Sequence, residues 1–367
     1  MSLRVLLATP YDLNVPGGVN RHVLGLLDAL TARGVDARLV GPASADVLGH
    51  DPRVTVVGRV STIPFNGAAS RVPVDPRLLL PLRRLVRDFA PDVVHVQEPV
   101  SPLPSAALLW LAPRNALRVG TFHTYSETSR GYLWAWPWAQ AVWSRLHARV
   151  AVSEPAREFA TRYHRAAFEI IPNAIALPAS PAPLRETAGP VSVLFLGRLD
   201  EPRKGFGVLV RALRRIEAEA PGLLTVTAIG RGAEGWRGET SGLPVSFGGE
   251  VTEPGLARVF EAADLVAVPS MGGESFGLVP LEAMAYRRPV VASGIFGYAW
   301  WMEGAARLVP PGDDAALAAA LRELAGSPAQ RADLSARGAE VARRYSWDVV
   351  VERWLALYQS AARGAAT

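Results

Sequence analysis

The sequence holds no cysteine, a single lysine and no long apolar run. Each shortage excludes something. Without thiols there is neither a disulfide framework nor a thiolate metal site, which agrees with a reducing compartment. No stretch approaches the roughly 18 uninterrupted apolar residues of a membrane-spanning helix. Residues 1–10 show no apolar core or cleavage site of a secretory signal, so a cytoplasmic enzyme is expected. Of 39 basic residues, Lys204 is the single lysine. The arginines are spread along the chain, so the net charge of +5 forms no basic tract of the kind that reads nucleic acid.

What is present points to two α/β domains. At 367 residues the chain exceeds the size of one core. Short β-branched runs at 3–8, 37–40, 92–96, 118–122, 149–152 and 168–171 alternate with helical patterns at 19–33, 78–89 and 155–163, as crossovers in a parallel sheet require. A proline-rich stretch at 177–190 reads as a linker. Beyond it the alternation restarts, with strands at 191–196, 224–229, 265–268 and 289–293 and helices near 206–220, 254–262, 276–286 and 315–325. The expected architecture is two Rossmann-like, doubly wound domains, 1–176 and 191–345, facing each other across a cleft. A final helix at 346–362, with Val350, Trp354, Leu357 and Ala361 on one stripe, is expected to pack back on the first.

In open α/β sheets ligands sit beyond the carboxyl ends of the strands. The loop "GRLDEPRKGFG", Gly197 to Gly207, follows such a strand and precedes a helix, whose N-terminus favours an anion. Arg198 and Lys204 add two cations, as a diphosphate site needs. Lysine, a compact charge on a flexible stem, fits a single phosphate oxygen where a planar fork does not. A second loop, "MGGESFGLVPLEAM", places Glu274 before a helix and Glu282 within it. The first suits sugar hydroxyls and the second ribose hydroxyls, because a carboxylate accepts paired hydroxyl bonds. The alternative is charge at a helix start plus an exposed glutamate. Two further strand ends carry "TPYDLNVPGG", with Gly17 and Gly18, and "GTFHT", with His123. No Asp-x-Asp or zinc-helix spacing occurs, so a metal-independent reaction is expected.

These blocks resemble the retaining glycosyltransferases of family four. "GRLDEPRKG" and Glu274 with Glu282 eight positions on match that family's donor signatures, and the likeness extends through "PYDLNVPGG", "IPFNGAASR", "HVQEP", "TFHT" and "VAVSEPA". Within the family the chain is most similar to the phosphatidylinositol mannosyltransferases of actinobacteria. The resemblance implies the two-domain GT-B fold and transfer of a hexose, mannose from GDP-mannose, onto a lipid-linked acceptor such as phosphatidyl-myo-inositol. UDP-glucose or another nucleotide sugar is the alternative donor. Beyond the nucleotide-sugar substrate no cofactor is expected.

Carried onto this chain, the resemblance puts Arg198 and Lys204 on the donor diphosphate with Gly18 near it. Glu274 would hold the hexose, Ser275, Phe276 and Gly277 would adjoin the donor, and Glu282 would hold the ribose. Tyr11, Asn66, Arg71 and His123 would meet the acceptor, Arg71 on a lipid phosphate and His123 near the reacting sugar, with His123, Arg198, Lys204 and Glu274 as the catalytic set. Two departures stand out: Pro172-Asn173-Ala174 where the family has Pro-Asn-Gly, and four tryptophans in Arg130–Trp143.

The stripe Leu78, Leu82, Leu85 and Phe89, flanked by Arg77, Arg83, Arg84 and Arg87, is built either as an interfacial helix on an anionic inner membrane surface or as an ordinary core-facing helix. "GRGAEG", Gly230 to Gly235, is a formal dinucleotide fingerprint, but the glycines and proline after it poorly support the helix that a nicotinamide enzyme needs.

Overall fold

A computed structural model describes all residues except 1, 16, 45–50, 59, 66, 67, 74, 127–135, 186–188 and 365–367. The chain divides into two units, Met1–Ala174 with Trp347–Thr367, and Ile175–Ser346.

In the first unit the chain runs β1 (Arg4–Ala8), α1 (Gly18–Ala32), β2 (Asp36–Gly41), β3 (Val54–Val56), a hairpin of β4 (Ser61–Phe65) and β5 (Ala68–Val72), and α2 (Leu79–Phe89). It continues through β6 (Val93–Gln97), α3 (Ala107–Leu111), β7 (Leu117–Phe122), α4 (Trp136–Trp143), β8 (Ala148–Ala151), α5 (Glu154–Tyr163) and β9 (Glu169–Ile170). The sheet order is β3-β2-β1-β6-β7-β8-β9, and every pairing in it is parallel. Strands covered on both faces are largely apolar, as Val93, Val94 and Val96 show, with His95 and Gln97 as buried polar exceptions on β6. One face is covered by α1 and the C-terminal helix, Trp347–Gly364, where Leu26, Leu30, Val350 and Trp354 pack on Leu7, Val93 and Val119. A Cβ at position 25 would lie 2.4 Å from Trp347 Nε1, so these two helices meet closely because Gly25 has no side chain. The opposite face takes Leu82, Leu108, Trp143 and Phe159.

In the second unit the order along the chain is β10 (Val191–Leu196), α6 (Phe206–Glu219), β11 (Leu224–Ile229), β12 (Val245–Gly249), α7 (Glu253–Ala262) and β13 (Leu265–Val268). Then come α8 (Leu278–Ala285), β14 (Val290–Ser293), α9 (Phe296–Met302), β15 (Arg307–Val309), α10 (Asp314–Gly326) and α11 (Pro328–Arg344). The parallel sheet has the order β12-β11-β10-β13-β14-β15. Both sheets reverse direction beside their first strand, between β1 and β6 and between β10 and β13. Such a reversal opens a crevice at the strand ends.

The structure decides or refines four points of the sequence reading. The stripe Leu78, Leu82 and Phe89 is buried in the core, with Leu85 packed against it, so this is a core-facing helix whose other side, with Leu79, Leu80 and the four arginines, is exposed. The helix expected from Phe276 starts at Leu278, because Gly277 adopts φ +87. No α-helix follows Gly235 until Glu253, and a Cβ at Gly230 would sit 1.9 Å from the Gly197 carbonyl oxygen, so the glycine run serves strand packing and not a dinucleotide. The proline-rich stretch is fastened to the second unit: Arg185 pairs with Asp264 at 2.9 Å, and the Arg288 guanidinium donates to the carbonyls of Ala182 and Pro183. Of the tryptophan segment, residues 130–135 lie outside the described residues. Trp143 is buried, whereas Trp136 and Trp138 are exposed.

Candidate active site

In the second unit the crevice is walled by the loops after β10 and β13. Gly205 lets them touch. It adopts φ +76, and a Cβ there would come within 1.8 Å of the Pro269 carbonyl oxygen, so α6 can begin against the end of β13 only with glycine at its cap. The Met271 N–H donates to the Arg203 carbonyl at 2.7 Å, fixing the approach. Residues 70 apart in sequence thereby meet: Lys204 Nζ donates to Glu274 Oε1 at 2.6 Å, and Arg203 donates to the same oxygen at 2.8 Å.

Glu201 carries the pattern further, accepting from Arg198 on one oxygen and from Arg203 on the other. Arg198, Glu201, Arg203, Glu274 and Lys204 form a chain of alternating charge with one net positive charge. Burial raises the Glu201 carboxyl, but Arg203, Arg198 and Lys204 outweigh it and hold the group below the ordinary carboxylate range. Both cations on Glu274 use Oε1, and among the described residues no protein donor falls on Oε2. The loop is held from behind. The Trp301 indole donates to the Phe276 carbonyl at 3.0 Å and its ring stacks on Phe276, and a Cβ at Gly297 would come within 2.1 Å of the Glu274 carbonyl. A cavity of about 670 Å³ opens beside the first loop, lined by residues that include Pro202, Phe206, Arg211, Trp236 and Met271 but neither Lys204 nor Glu274.

In the first unit the crevice lies between the loop after β1 and the ends of β6 and β7. Asn20 shapes the β1 loop, donating to the carbonyls of Asp12 and Val15 and accepting from Thr9. His123 follows β7, its N–H donating to Glu98 Oε1 at 2.9 Å and its ring Nε2 lying 2.7 Å from Gln97 Oε1. Burial lowers the His123 imidazole well below its usual value, with His22 and His95 adding to the effect. His22 is pushed by burial to about 3. Burial raises the Glu98 carboxyl despite its hydrogen bonds from Thr124 and His123. Burial and the Glu98 charge also raise the Tyr11 phenol. This crevice is built of buried groups whose neutral forms are favoured.

Two regions of the chain match family models: residues 16–179 that of "Glycosyltransferase Family 4", and residues 190–327 that of "Glycosyl transferases group 1". A phosphatidyl-myo-inositol mannosyltransferase of Mycobacterium leprae is 36% identical, over 98% of this chain and 97% of its own. The chain belongs to the family-four glycosyltransferases. Solved structures agree on the fold of this glycosyltransferase. Sucrose-phosphate synthase from Thermosynechococcus elongatus matches with TM-score 0.76 at 23% identity over 100% of both chains. Anabaena HepE in complex with UDP matches with TM-score 0.74 at 20% identity, covering 98% of this chain and 100% of that one.

Within this glycosyltransferase the structure brings Lys204 and Glu274 into contact and reaches Arg198 through Glu201 and Arg203. Ser275, Phe276 and Gly277 follow Glu274 in the same loop, and Glu282 is buried on α8. Gly18 opens α1, in the unit that also holds Tyr11 and His123. Arg71 is on β5, and Asn66 lies outside the described residues. Sequence reasoning missed Glu201 and Arg203, although both stand in the motif it singled out. It also missed Gln97, whose signal was the spacing of His95, Gln97, Thr121 and His123 in alternate positions of two neighbouring strands.

Proposed function

We propose that this glycosyltransferase moves mannose from GDP-mannose onto an inositol-bearing phospholipid, retaining the anomeric configuration and using no metal ion. The observation that carries the donor part is the contact of Lys204 with Glu274 at the start of α6. The choice of sugar and acceptor rests on the full-length likeness to the mycobacterial mannosyltransferase.

In this reading the second unit holds the donor. A diphosphate replaces the carboxylates on Arg198 and Lys204 and gains the N–H groups at the helix start. Glu274 offers Oε2 to a sugar hydroxyl, Glu282 accepts from the ribose, and the backbone of Ser275, Phe276 and Gly277 adjoins the donor. The sugar–phosphate bond breaks, GDP leaves, and the acceptor oxygen takes the anomeric carbon, its proton passing to the departing phosphate. Fixed cations aimed at the charge that grows on the leaving group supply most of the barrier lowering. The first unit serves the acceptor through Tyr11, Asn66, Arg71 and His123, and the exposed side of α2 meets anionic lipid headgroups. Among the described residues no helix is long and apolar enough to cross a membrane.

The test is transfer from GDP-mannose to phosphatidyl-myo-inositol, with melting points measured against GDP-mannose and UDP-glucose. A ligand at a hundred times its Kd stabilises by about 2.7 kcal/mol. Product with GDP-mannose and a larger melting shift than with UDP-glucose is expected. A preference for UDP-glucose with no mannosyl product would favour the second donor, for which the likeness to UDP-bound HepE speaks. Turnover should survive EDTA, and the protein should float with anionic but not neutral vesicles. Metal-restored activity, or no flotation, contradicts the respective part.

A further inference from the structure

Gln97 joins two imidazoles. Strand alternation puts His95 and Gln97 on one face of β6 and Thr121 on the same face of β7, with Gln97 opposite Thr121 in register. His123 follows two positions on. The Gln97 carboxamide lies between the rings, Nε2 3.3 Å from His95 Nε2 and Oε1 2.7 Å from His123 Nε2.

An amide has one donating and one accepting end, so the two rings face opposite demands. With the amide in this orientation His95 Nε2 is the accepting atom, which makes the Thr121 hydroxyl the donor in their 2.6 Å contact. The His95 proton therefore sits on Nδ1 and goes to the Tyr358 hydroxyl at 2.7 Å. His123 carries its proton on Nε2, which makes Nδ1 the ring's acceptor. Turning the amide over would reverse both rings together. His95, Gln97, Thr121 and Tyr358 are each 0% exposed, so bulk water does not compete for these bonds. The tautomer of His123 is thus tied, through Gln97 and His95, to a hydroxyl on the C-terminal helix.

We propose that Gln97, backed by His95 and Tyr358, is a positioning residue that holds His123 as its Nε2–H tautomer, so that Nδ1 is offered as acceptor to a substrate hydroxyl. The proposal rests on the reading of His123 as a substrate-contacting residue. It adds what fixes that ring's proton, and why the fixing reaches the end of the chain.

Side-chain 15N–1H spectroscopy tests this, since the chain has 6 histidines and each tautomer has its own pattern. The wild-type protein should show His95 protonated on Nδ1 and His123 on Nε2. Gln97→Met should give His123 a mixed tautomer and lower kcat about tenfold, the size of one neutral buried hydrogen bond, with the KM for the nucleotide sugar within about twofold. Tyr358→Phe should move both rings toward the reverse pair, with a smaller fall in kcat. Finding the two wild-type rings in the same tautomer overturns the proposal without any variant. So does a folded Gln97→Met protein with His123 unchanged or with wild-type kcat. Full activity in His123→Ala would instead sink the assignment of His123 itself, whatever Gln97 does.

Discussion

The two units share a sheet topology, yet they fill the same position, the crevice beside the first strand, with opposite electrostatics. In the second unit, partly exposed cations and acids alternate from Arg198 to Lys204. In the first, burial keeps His22, His95 and His123 neutral. The difference follows from what each crevice is proposed to bind. A diphosphate carries fixed charge and is held by charge at a surface, where carboxylates and water keep the cations company until it arrives. A hydroxyl carries none, and is held by oriented neutral acceptors whose desolvation costs little.

Three measurements break or sharpen this contrast. The largest effect should come from Lys204→Ala: about a thousandfold loss in kcat/KM, on the order of 4 kcal/mol, as for removal of one preorganised donor to a developing charge. Lys204→Arg should recover little of it, because the planar fork does not reproduce a point charge. Near-normal turnover in the alanine variant would mean that the alternating chain is structural. Next, Glu274→Gln should lower kcat roughly a hundredfold, since an amide accepts more weakly and no longer balances Arg203 and Lys204. An equal loss in a protein that has also lost stability would assign the residue to the fold.

The smallest expected effect concerns acid. The folded value of His22, about 3, lies below the unfolded value of about 6.5. As pH falls below about 6.5 the unfolded chain binds the proton first and stability declines, on the order of 2 kcal/mol by pH 5 for this ring. His95 and His123 shift the same way, while Glu98, raised in the fold, binds its proton there first and opposes them in part. Glu201 is depressed, so its stabilisation is present above the unfolded carboxylate value of about 4.3 and is lost only below it. Segment-resolved hydrogen exchange, corrected for its intrinsic pH dependence, should show β6, β7 and the C-terminal helix losing protection between pH 7 and 5, with β10 and β13 holding theirs. Equal loss in both would remove the contrast.

Much of this was legible in the residues. Strands 191–196, 224–229 and 265–268 are bounded as the apolar runs indicate, because most of their positions are buried, 265–268 throughout, and burial demands apolar side chains. Lys204 and Glu274 were legible as charged groups in the loops at strand ends. Their contact was not, since it depends on Gly205 pressing against Pro269, a tertiary fact. The stripe on α2 was ambiguous because burial and membrane contact call for the same amphipathic spacing. Helix α11 was missed because its Arg- and Ala-rich sequence buries few large side chains, leaving the periodicity faint. Gln97 was missed because an amide between two strands carries no charge signature, and its meaning comes from which ring stands at each end.

The C-terminal helix has one more consequence, for the order in which the molecule is made. The ribosome completes residues 1–174 long before it reaches Trp354 and Tyr358, so the half synthesised first waits for the tail to cover its sheet and to supply the last hydroxyl of the histidine relay. A stop codon shortly after residue 346 would spare all of the second unit and leave the first one open.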